Sequence, residues 1–176
     1  VADFGTGESE RKKVETALGQ GTEYRTFFAE KNGIAPVHIV VNHKTKPFFT
    51  VAVELTNQGA APIEVATISP VILGPGNLSN LSADTVVRMS SVGMRGPCPV
   101  MDKAAGSLSV MFNDEAHDLT LLFGVIPGQA AASAIRFGEN AGAWQGEAQC
   151  VFNPPVKLAP GETMRSDPIW VSFSIP

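Results

Sequence analysis

Six acidic side chains are the best candidates for bond-cleaving chemistry in this sequence: Glu54, Glu64, Asp102, Glu147, Glu162 and Asp167. A glycosidase needs two carboxyl groups placed across the scissile bond, one acting as acid and the other as base or nucleophile. Their positions along the chain do not select such a pair, so we interpret most of them as charges at the rims of strands and turns. A small hydrolase whose site is built from scattered loop residues stays open as an alternative.

Other catalytic and cofactor motifs are missing from the sequence. There is no Gly-x-Ser-x-Gly, no phosphate-binding loop and no Cys-x-x-Cys pair, and Gly5-Thr6-Gly7 lacks the third glycine of a dinucleotide loop. His38 alternates with apolar residues, which is typical of a histidine within a sheet. His117 lies in the acidic stretch 113–118, which we interpret as a polar hairpin turn. The sequence therefore predicts no cofactor and no metal site.

Aromatic and sulfur-containing residues give the remaining candidates. Trp144 stands between glycines and Trp170 shares a strand face with serines, so each ring either packs against the fold or contacts a ligand or partner. The two cysteines, Cys98 and Cys150, are either buried thiols or a disulfide closing a loop of about 50 residues.

The composition limits the class of protein. A length of 176 residues suits one domain, and 44% apolar with 17% charged residues is a globular balance. The net charge of −4 makes nucleic acid an unsuitable partner. No apolar run reaches the roughly 20 residues of a membrane span. The chain begins with Val1, which favours a processed or excised piece, and an extracytoplasmic or secreted location is slightly favoured over others.

The first 22 residues differ in pattern from the rest. Ser9 is placed to cap a short helix that runs to about Leu18 and ends at Gly19. We therefore expect an N-terminal extension with one short helix over residues 1–22, followed by a β-sandwich domain over residues 23–176.

From Glu23 onward the hydrophobic period is two residues. The clearest case is the last strand, where Ile169, Val171, Phe173 and Ile175 share one face. Glycine and proline corners, such as 74–76, 153–155 and 159–161, separate these runs and are predicted to reverse the chain. The pattern predicts an all-β, antiparallel two-sheet sandwich of the supersandwich or jelly-roll kind.

Three segments resemble a known family in their order and spacing: residues 86–99 (VVRMSSVGMRGPCP), 121–126 (LLFGVI) and 156–169 (VKLAPGETMRSDPI). They resemble the N-terminal β-sandwich of alpha-galactosidase and raffinose-synthase-type glycoside hydrolases. That family has an Arg-containing strand before a turn, a later strand with a central glycine, and a Pro-Gly-Glu corner before the last strand. Gly93 is followed here by Met94 and Arg95, where the family has an aromatic-rich turn, and these two residues are further candidates for ligand or interface contact.

The resemblance implies an indirect role. The catalytic aspartates of that family lie in a separate (β/α)8 barrel, which its sandwich packs against and helps to shape, often with a share in oligomer contacts. We therefore expect a non-catalytic, carbohydrate-related accessory sandwich, whose partners are a carbohydrate and either a catalytic barrel domain or a second copy of itself. The alternative is a structural, assembly or surface-adhesion sandwich without a sugar ligand.

Overall fold

The computed structural model describes residues 7–74, 86–90, 109–114, 118–128, 130, 132–140 and 143–174. The regular secondary structure within these ranges consists of β-strands alone. In chain order the strands are β1 (Glu8–Thr16), β2 (Gly19–Phe27), β3 (Ile34–His43), β4 (Phe49–Asn57), β5 (Ile63–Leu73), β6 (Val86–Ser90), β7 (Ser109–Asp114), β8 (Leu119–Val125), β9 (Ala132–Asn140), β10 (Ala143–Leu158), β11 (Thr163–Arg165) and β12 (Ile169–Ser174). The described part of the chain therefore contains no helix that could span a membrane.

The strands form two antiparallel sheets, which confirms the all-β, two-sheet prediction. The larger sheet has the order β1-β2-β3-β4-β12-β8-β7-β6, with β11 also paired to β4, and the smaller sheet has the order β5-β10-β9. One core cluster joins Phe112, Phe123 and Ile169 of the larger sheet to Ile135 and Ala148 of the smaller one. The sheets are thus held together by the residues that the two-residue period predicts to face inward.

The predicted N-terminal helix is wrong, because residues 8–16 form β1 and pair with β2 along their whole length. Gly19 has a φ of +98°, and the Thr16 hydroxyl donates to the Gly19 carbonyl at 3.1 Å. A glycine with positive φ ends a helix and closes a tight hairpin equally well. Val14 is the one residue of β1 that packs on a core cluster. The segment therefore has too few apolar side chains to hold a helix against the core.

The corner predicted at residues 153–155 is also wrong. These residues lie within β10, which runs through them from Ala143 to Leu158. The register of β10 against β5 shifts between Val151 and Val156, so the prolines sit in an irregularity of one long strand instead of a chain reversal.

The larger sheet extends beyond the smaller one on the side of β1 and β2. Residues paired in register share a face, and neighbours along a strand alternate between faces. The inner face carries His38, whose Nε2 lies 3.3 Å from the Pro70 carbonyl of β5, and Val40, which packs on the shared core. Farther along the same face, Tyr24 of β2 is 42% exposed. The inner face of β1 and β2 is therefore left uncovered by the described residues of the smaller sheet.

The outer face of the same strands is closed by charged side chains over an apolar cluster. Val37, Ile39 and Val41 are buried there, Ile39 completely. Arg25 of β2 is the register partner of Ile39 and reaches across β3 to the carboxylate of Glu54 on β4. Because that ion pair bridges over β3, it lies across the Val37–Ile39 part of the cluster.

Candidate functional site

The inner face of β1 and β2, which the described residues of the smaller sheet leave open, continues onto β3 and carries three rows of register partners. Lys13 pairs with Thr22 and Thr22 with Asn42, which forms the middle row. Glu15 pairs with Gln20 at one end of that row. At the other end the row of partners is Arg11, Tyr24 and Val40. Antiparallel pairing thus brings residues separated by about 30 positions onto one surface.

A groove of about 830 Å³ lies at the end of this surface that is nearer Glu15 and Gln20. Six polar residues line it: Lys13, Glu15, Gln20, Thr22, Asn42 and Lys44. Val14, Gly21 and His43, which alternate with them along the strands, complete the lining. Amides, ammonium groups and a hydroxyl are donors and acceptors that can hydrogen-bond to a polar, hydroxyl-rich ligand. We refer to this feature as the β1–β3 groove.

Gly21 allows β2 and β3 to approach closely in this groove. A Cβ at this position would lie 2.8 Å from the carbonyl oxygen of Asn42, which is closer than a real Cβ comes. The end of the groove is fixed by the backbone amide of Lys44, which donates to the Gln20 carbonyl at 2.8 Å. The groove is therefore shaped by backbone contacts and not by flexible side chains alone.

Two aromatic residues adjoin the middle row, one in the neighbouring row and one that continues the middle row onto β4. Tyr24 is two residues from Thr22 on the same face, which places it about 7 Å away along the strand. Phe49 of β4 is the register partner of Asn42, and its ring stacks on that of Phe173 at 5.9 Å. Phe173 is 55% exposed. Sequence reasoning missed Tyr24, because a single sequence shows that Thr22 and Thr26 share its face but does not show which strands pair beside it.

Trp170, a predicted contact residue, lies on the outer face and is half-buried. It is the register partner of Gly124, and its indole lies directly on that glycine: a Cβ there would be 2.0 Å from the indole Nε1. The centroids of the Trp170 and Phe48 rings are 6.2 Å apart, and those of the Phe48 and His43 rings are 5.6 Å apart. The Trp170 ring therefore packs on β8, and the sheet separates it from the middle row of the inner face.

A methyl group at position 124 tests whether the Trp170 ring lies on β8. We expect Gly124→Ala to lower the free energy of unfolding by about 1–2 kcal/mol, because the indole must move or the strands must separate. Urea denaturation followed by tryptophan fluorescence measures this loss of stability. Gly128→Ala is not a suitable control, because its Cβ would approach the Asp167 carboxylate. The control is Arg136→Ala at an exposed position on β9, which is expected to change stability by less than about 0.5 kcal/mol. Equal stability of Gly124→Ala and the unmodified protein would contradict the described position of Trp170.

His43 is a lining residue of the groove whose ring packs against Phe48 on the outer face. Its Nε2 lies 3.1 Å from the Thr50 hydroxyl, and its Nδ1 has no hydrogen-bond partner among the described residues. Burial lowers the pKa of His43, and the charge of Lys46 lowers it further. The imidazole is therefore favoured in its neutral form, as a packed side chain at the base of the β3–β4 turn.

The other predicted contact residues are placed only in part. The backbone of Trp144 belongs to β10, opposite Glu139, while Met94, Arg95 and Cys98 lie outside the described residues. Cys150 is a free, fully buried thiol whose Sγ lies 3.6 Å from the Asp167 carbonyl oxygen. Burial raises the pKa of this thiol, so its reactive thiolate form is disfavoured.

The candidate carboxylates are occupied by structural contacts. Their partners are Arg25 for Glu54, Lys157 for Glu64 at 3.8 Å, Ser69 for Glu147 at 3.1 Å, the Ala159 amide for Glu162 at 2.8 Å, and the Gly128 amide with the Ser133 hydroxyl for Asp167, both at 3.1 Å. Asp102 lies outside the described residues. No group of three or more metal-binding side chains is brought together in the described part of the chain.

Neither a family model nor a curated protein sequence matches this chain. Solved structures do match it. The galactosidase domain of an alpha-galactosidase-sucrose kinase has a TM-score of 0.66 at 10% identity, over 97% of this chain and 27% of its own. A GH36 alpha-galactosidase from Geobacillus stearothermophilus in complex with stachyose has a TM-score of 0.66 at 10% identity, over 97% and 28%. The alpha-galactosidase from Lactobacillus brevis has a TM-score of 0.65 at 8% identity, over 97% and 27%.

These structures confirm the resemblance to one segment of the alpha-galactosidases. Identities of 8–10% show a shared fold and nothing finer. The chain spans just over a quarter of the length of the chains that it matches.

Proposed function

We propose that this chain is a carbohydrate-related accessory β-sandwich that acts beside a separate catalytic domain and does not cleave glycosidic bonds itself. The single observation that carries the proposal is the coverage of the structural match. Nearly the whole chain, 97% of it, superposes on about 27% of an alpha-galactosidase. A segment that makes up about a quarter of an enzyme of this length has the size of one domain.

The β1–β3 groove supports the carbohydrate part of the proposal. Polar groups that hydrogen-bond to hydroxyls lie beside the exposed ring of Tyr24, and a flat ring offers the apolar side of a sugar a surface on which to stack. The related enzymes are described as alpha-galactosidases, and two of them as complexes with stachyose or raffinose. Galactose-containing oligosaccharides are therefore the first ligands to test.

The non-catalytic part is supported by what the candidate carboxylates do. Glu54 holds Arg25 on the outer face, and Asp167 holds the segment after β8 through backbone amides. A carboxylate that is committed to such a contact is poorly placed to donate or accept a proton in a reaction.

Titration calorimetry with raffinose and stachyose tests the sugar proposal. We expect weak but saturable binding, and we expect Tyr24→Ala to weaken it about tenfold, equal to about 1.4 kcal/mol, through loss of the stacking surface. The control is Phe27→Ala, which removes a 37% exposed ring from the opposite face of the same strand. Trp144→Ala is measured alongside, because we propose that this ring also contacts the ligand. The proposal fails if neither sugar, nor any glycan on an array, binds the unmodified protein.

Exposed apolar side chains favour the alternative, an assembly protein without a sugar ligand. Phe173 is 55% exposed and Ile72 is 59% exposed. Such residues anchor protein interfaces when they are covered by a partner. Light scattering over a range of concentrations separates the two proposals: a defined oligomer that binds no glycan supports assembly, and a monomer that binds sugar supports the accessory role.

A further inference from the structure

We infer that the β1–β3 groove selects saccharides that carry a negative charge, as a carboxylate or a sulfate group. This inference rests on the proposed carbohydrate function and names the ligand class of the same surface. It follows from the charges that strand pairing places around the groove.

Among the described residues, three cations and one carboxylate lie on or beside the groove. Lys13, Lys44 and Glu15 line the groove, and Arg11 shares the inner face with Lys13, two residues along β1. None of the three cations forms an ion pair among the described residues. This local surplus occurs on a chain whose net charge is −4, so it is opposite in sign to the protein as a whole.

The cations of the outer face differ in this respect. Lys12 binds Glu23 at 3.2 Å, and Arg25 binds Glu23 at 3.5 Å and Glu10 at 3.8 Å. The basic run 11–13 is therefore divided by the strand: Lys12 is neutralised on one face, while Arg11 and Lys13, on the other face, have no ion-pair partner in the described part of the chain. Unpaired cations concentrated on one face attract and orient an anionic group.

The pairing also places these charges next to the groups that would hold a sugar ring. Arg11 is the register partner of Tyr24, and Lys13 is the register partner of Thr22, at a spacing of about 5 Å between partners. A pyranose stacked on Tyr24 would bring an acidic substituent within reach of Arg11 or Lys13. Guanidinium and ammonium groups form their strongest hydrogen bonds with carboxylate or sulfate oxygens. Gln20 and Asn42 remain available for the hydroxyls of the adjoining sugar residue.

Four ligands distinguish this inference from its alternatives: trigalacturonate, a sulfated galactose disaccharide, neutral raffinose and hexaglutamate. Each is titrated into the full chain at about 20 mM and about 200 mM NaCl, which changes the Debye length from about 20 Å to about 7 Å. We expect one of the acidic sugars to bind at least about tenfold more tightly than raffinose at low salt, and to lose most of that advantage at high salt. The preferred acidic sugar identifies the carboxylate or the sulfate as the recognised group.

Two substitutions on the inner face and one on the outer face locate the effect. Arg11→Gln and Lys13→Gln are each expected to weaken acidic-sugar binding about fivefold. Raffinose binding is expected to weaken by less than about twofold, because the glutamine amide still hydrogen-bonds to a hydroxyl. Lys12→Gln, on the same strand with its side chain on the opposite face, is expected to change neither. Arg11 and Lys13 are exposed, so equal melting temperatures of the variants confirm that the fold is intact.

Each contrary result has its own meaning. If acidic and neutral sugars bind equally and without salt dependence, charge selection is wrong and the proposed sugar function stands. If hexaglutamate binds as tightly as the acidic sugars, the surface recognises polyanions and not saccharides, and the inference is wrong. If no sugar binds at either salt concentration, both the inference and the proposed function are wrong.

Discussion

Arg25→Ala is expected to lower the free energy of unfolding by about 3 kcal/mol, which is the lower part of the range for breaking a buried ion pair. The Arg25 side chain is only 16% exposed, and it contacts carboxylates on three strands. Glu54, with a side chain 22% exposed, would lose its cation in a poorly solvated position, and Glu23, 8% exposed, would keep only Lys12. Desolvated charges without a partner are costly, and that cost is the main source of the expected loss.

The same substitution removes cover from an apolar cluster. The Arg25–Glu54 pair lies across Val37 and Ile39 on the outer face, so truncation to Ala also admits water to these side chains. Arg25→Met keeps much of the aliphatic cover without the charge, and is therefore expected to lose less than Arg25→Ala if cover contributes. The comparison of the two variants divides the loss between charge and packing.

Urea denaturation measures this loss, because the midpoint shifts in proportion to stability when the slope is unchanged. Arg136→Ala is the control, since Arg136 is exposed on β9 and no described contact holds it. We expect that control to change stability by less than about 0.5 kcal/mol. A loss below about 1 kcal/mol for Arg25→Ala would show that the carboxylates find water or another partner, and would contradict the closed outer face.

The sequence predicted the sheets because the two-residue period is strong wherever a face is buried. Val51 and Val53 of β4, and Ile169 and Val171 of β12, face the core as the alternation indicates. The period fails in β1, where Val14 is the one residue that packs on a cluster and the remaining side chains are polar. Gly19 could not resolve the choice, since both a helix end and a hairpin use its positive φ.

The candidate site could not be predicted for a different reason. Its residues are ordinary polar side chains, and only strand register brings Lys13, Thr22 and Asn42 into one row. Register is set by pairing across the sheet, which a single sequence does not display. The resemblance in residues 86–170 indicated the fold that the structural matches then confirmed, although the groove lies in the part of the chain that the resemblance did not cover.

Asn57→Ala is expected to lower the free energy of unfolding by about 2–3 kcal/mol, because it removes three hydrogen bonds from a fully buried side chain. The Nδ2 of Asn57 donates to the carbonyl oxygens of Ala61 and Leu158, both at 2.9 Å. Its Oδ1 accepts a hydrogen bond from the Gly59 amide at 3.0 Å. One amide group thus joins the end of β4, the turn that follows it and the end of β10 in the other sheet.

The backbone of the same residue strengthens this junction. The Asn57 amide donates to the Glu162 carbonyl at 2.9 Å, and the Gly161 amide donates to the Asn57 carbonyl at 2.7 Å. The side chain therefore sits where the turn before β11 meets the end of β4, and its loss leaves the Leu158 carbonyl without this donor in a buried position. Asn57→Asp retains the acceptor but replaces the donors with a buried negative charge beside two carbonyls, so we expect it to be at least as destabilising as Asn57→Ala.

The matched control is Asn42→Ala, which removes the same amide from an exposed position on β3. We expect it to change the free energy of unfolding by less than about 0.5 kcal/mol. Urea denaturation of the three variants at one pH gives the comparison directly, and unchanged slopes confirm that the same surface is exposed on unfolding. If Asn57→Ala and Asn42→Ala lose equally little, the two sheets are held at this corner by packing alone, and the hydrogen bonds of Asn57 do not stabilise the junction.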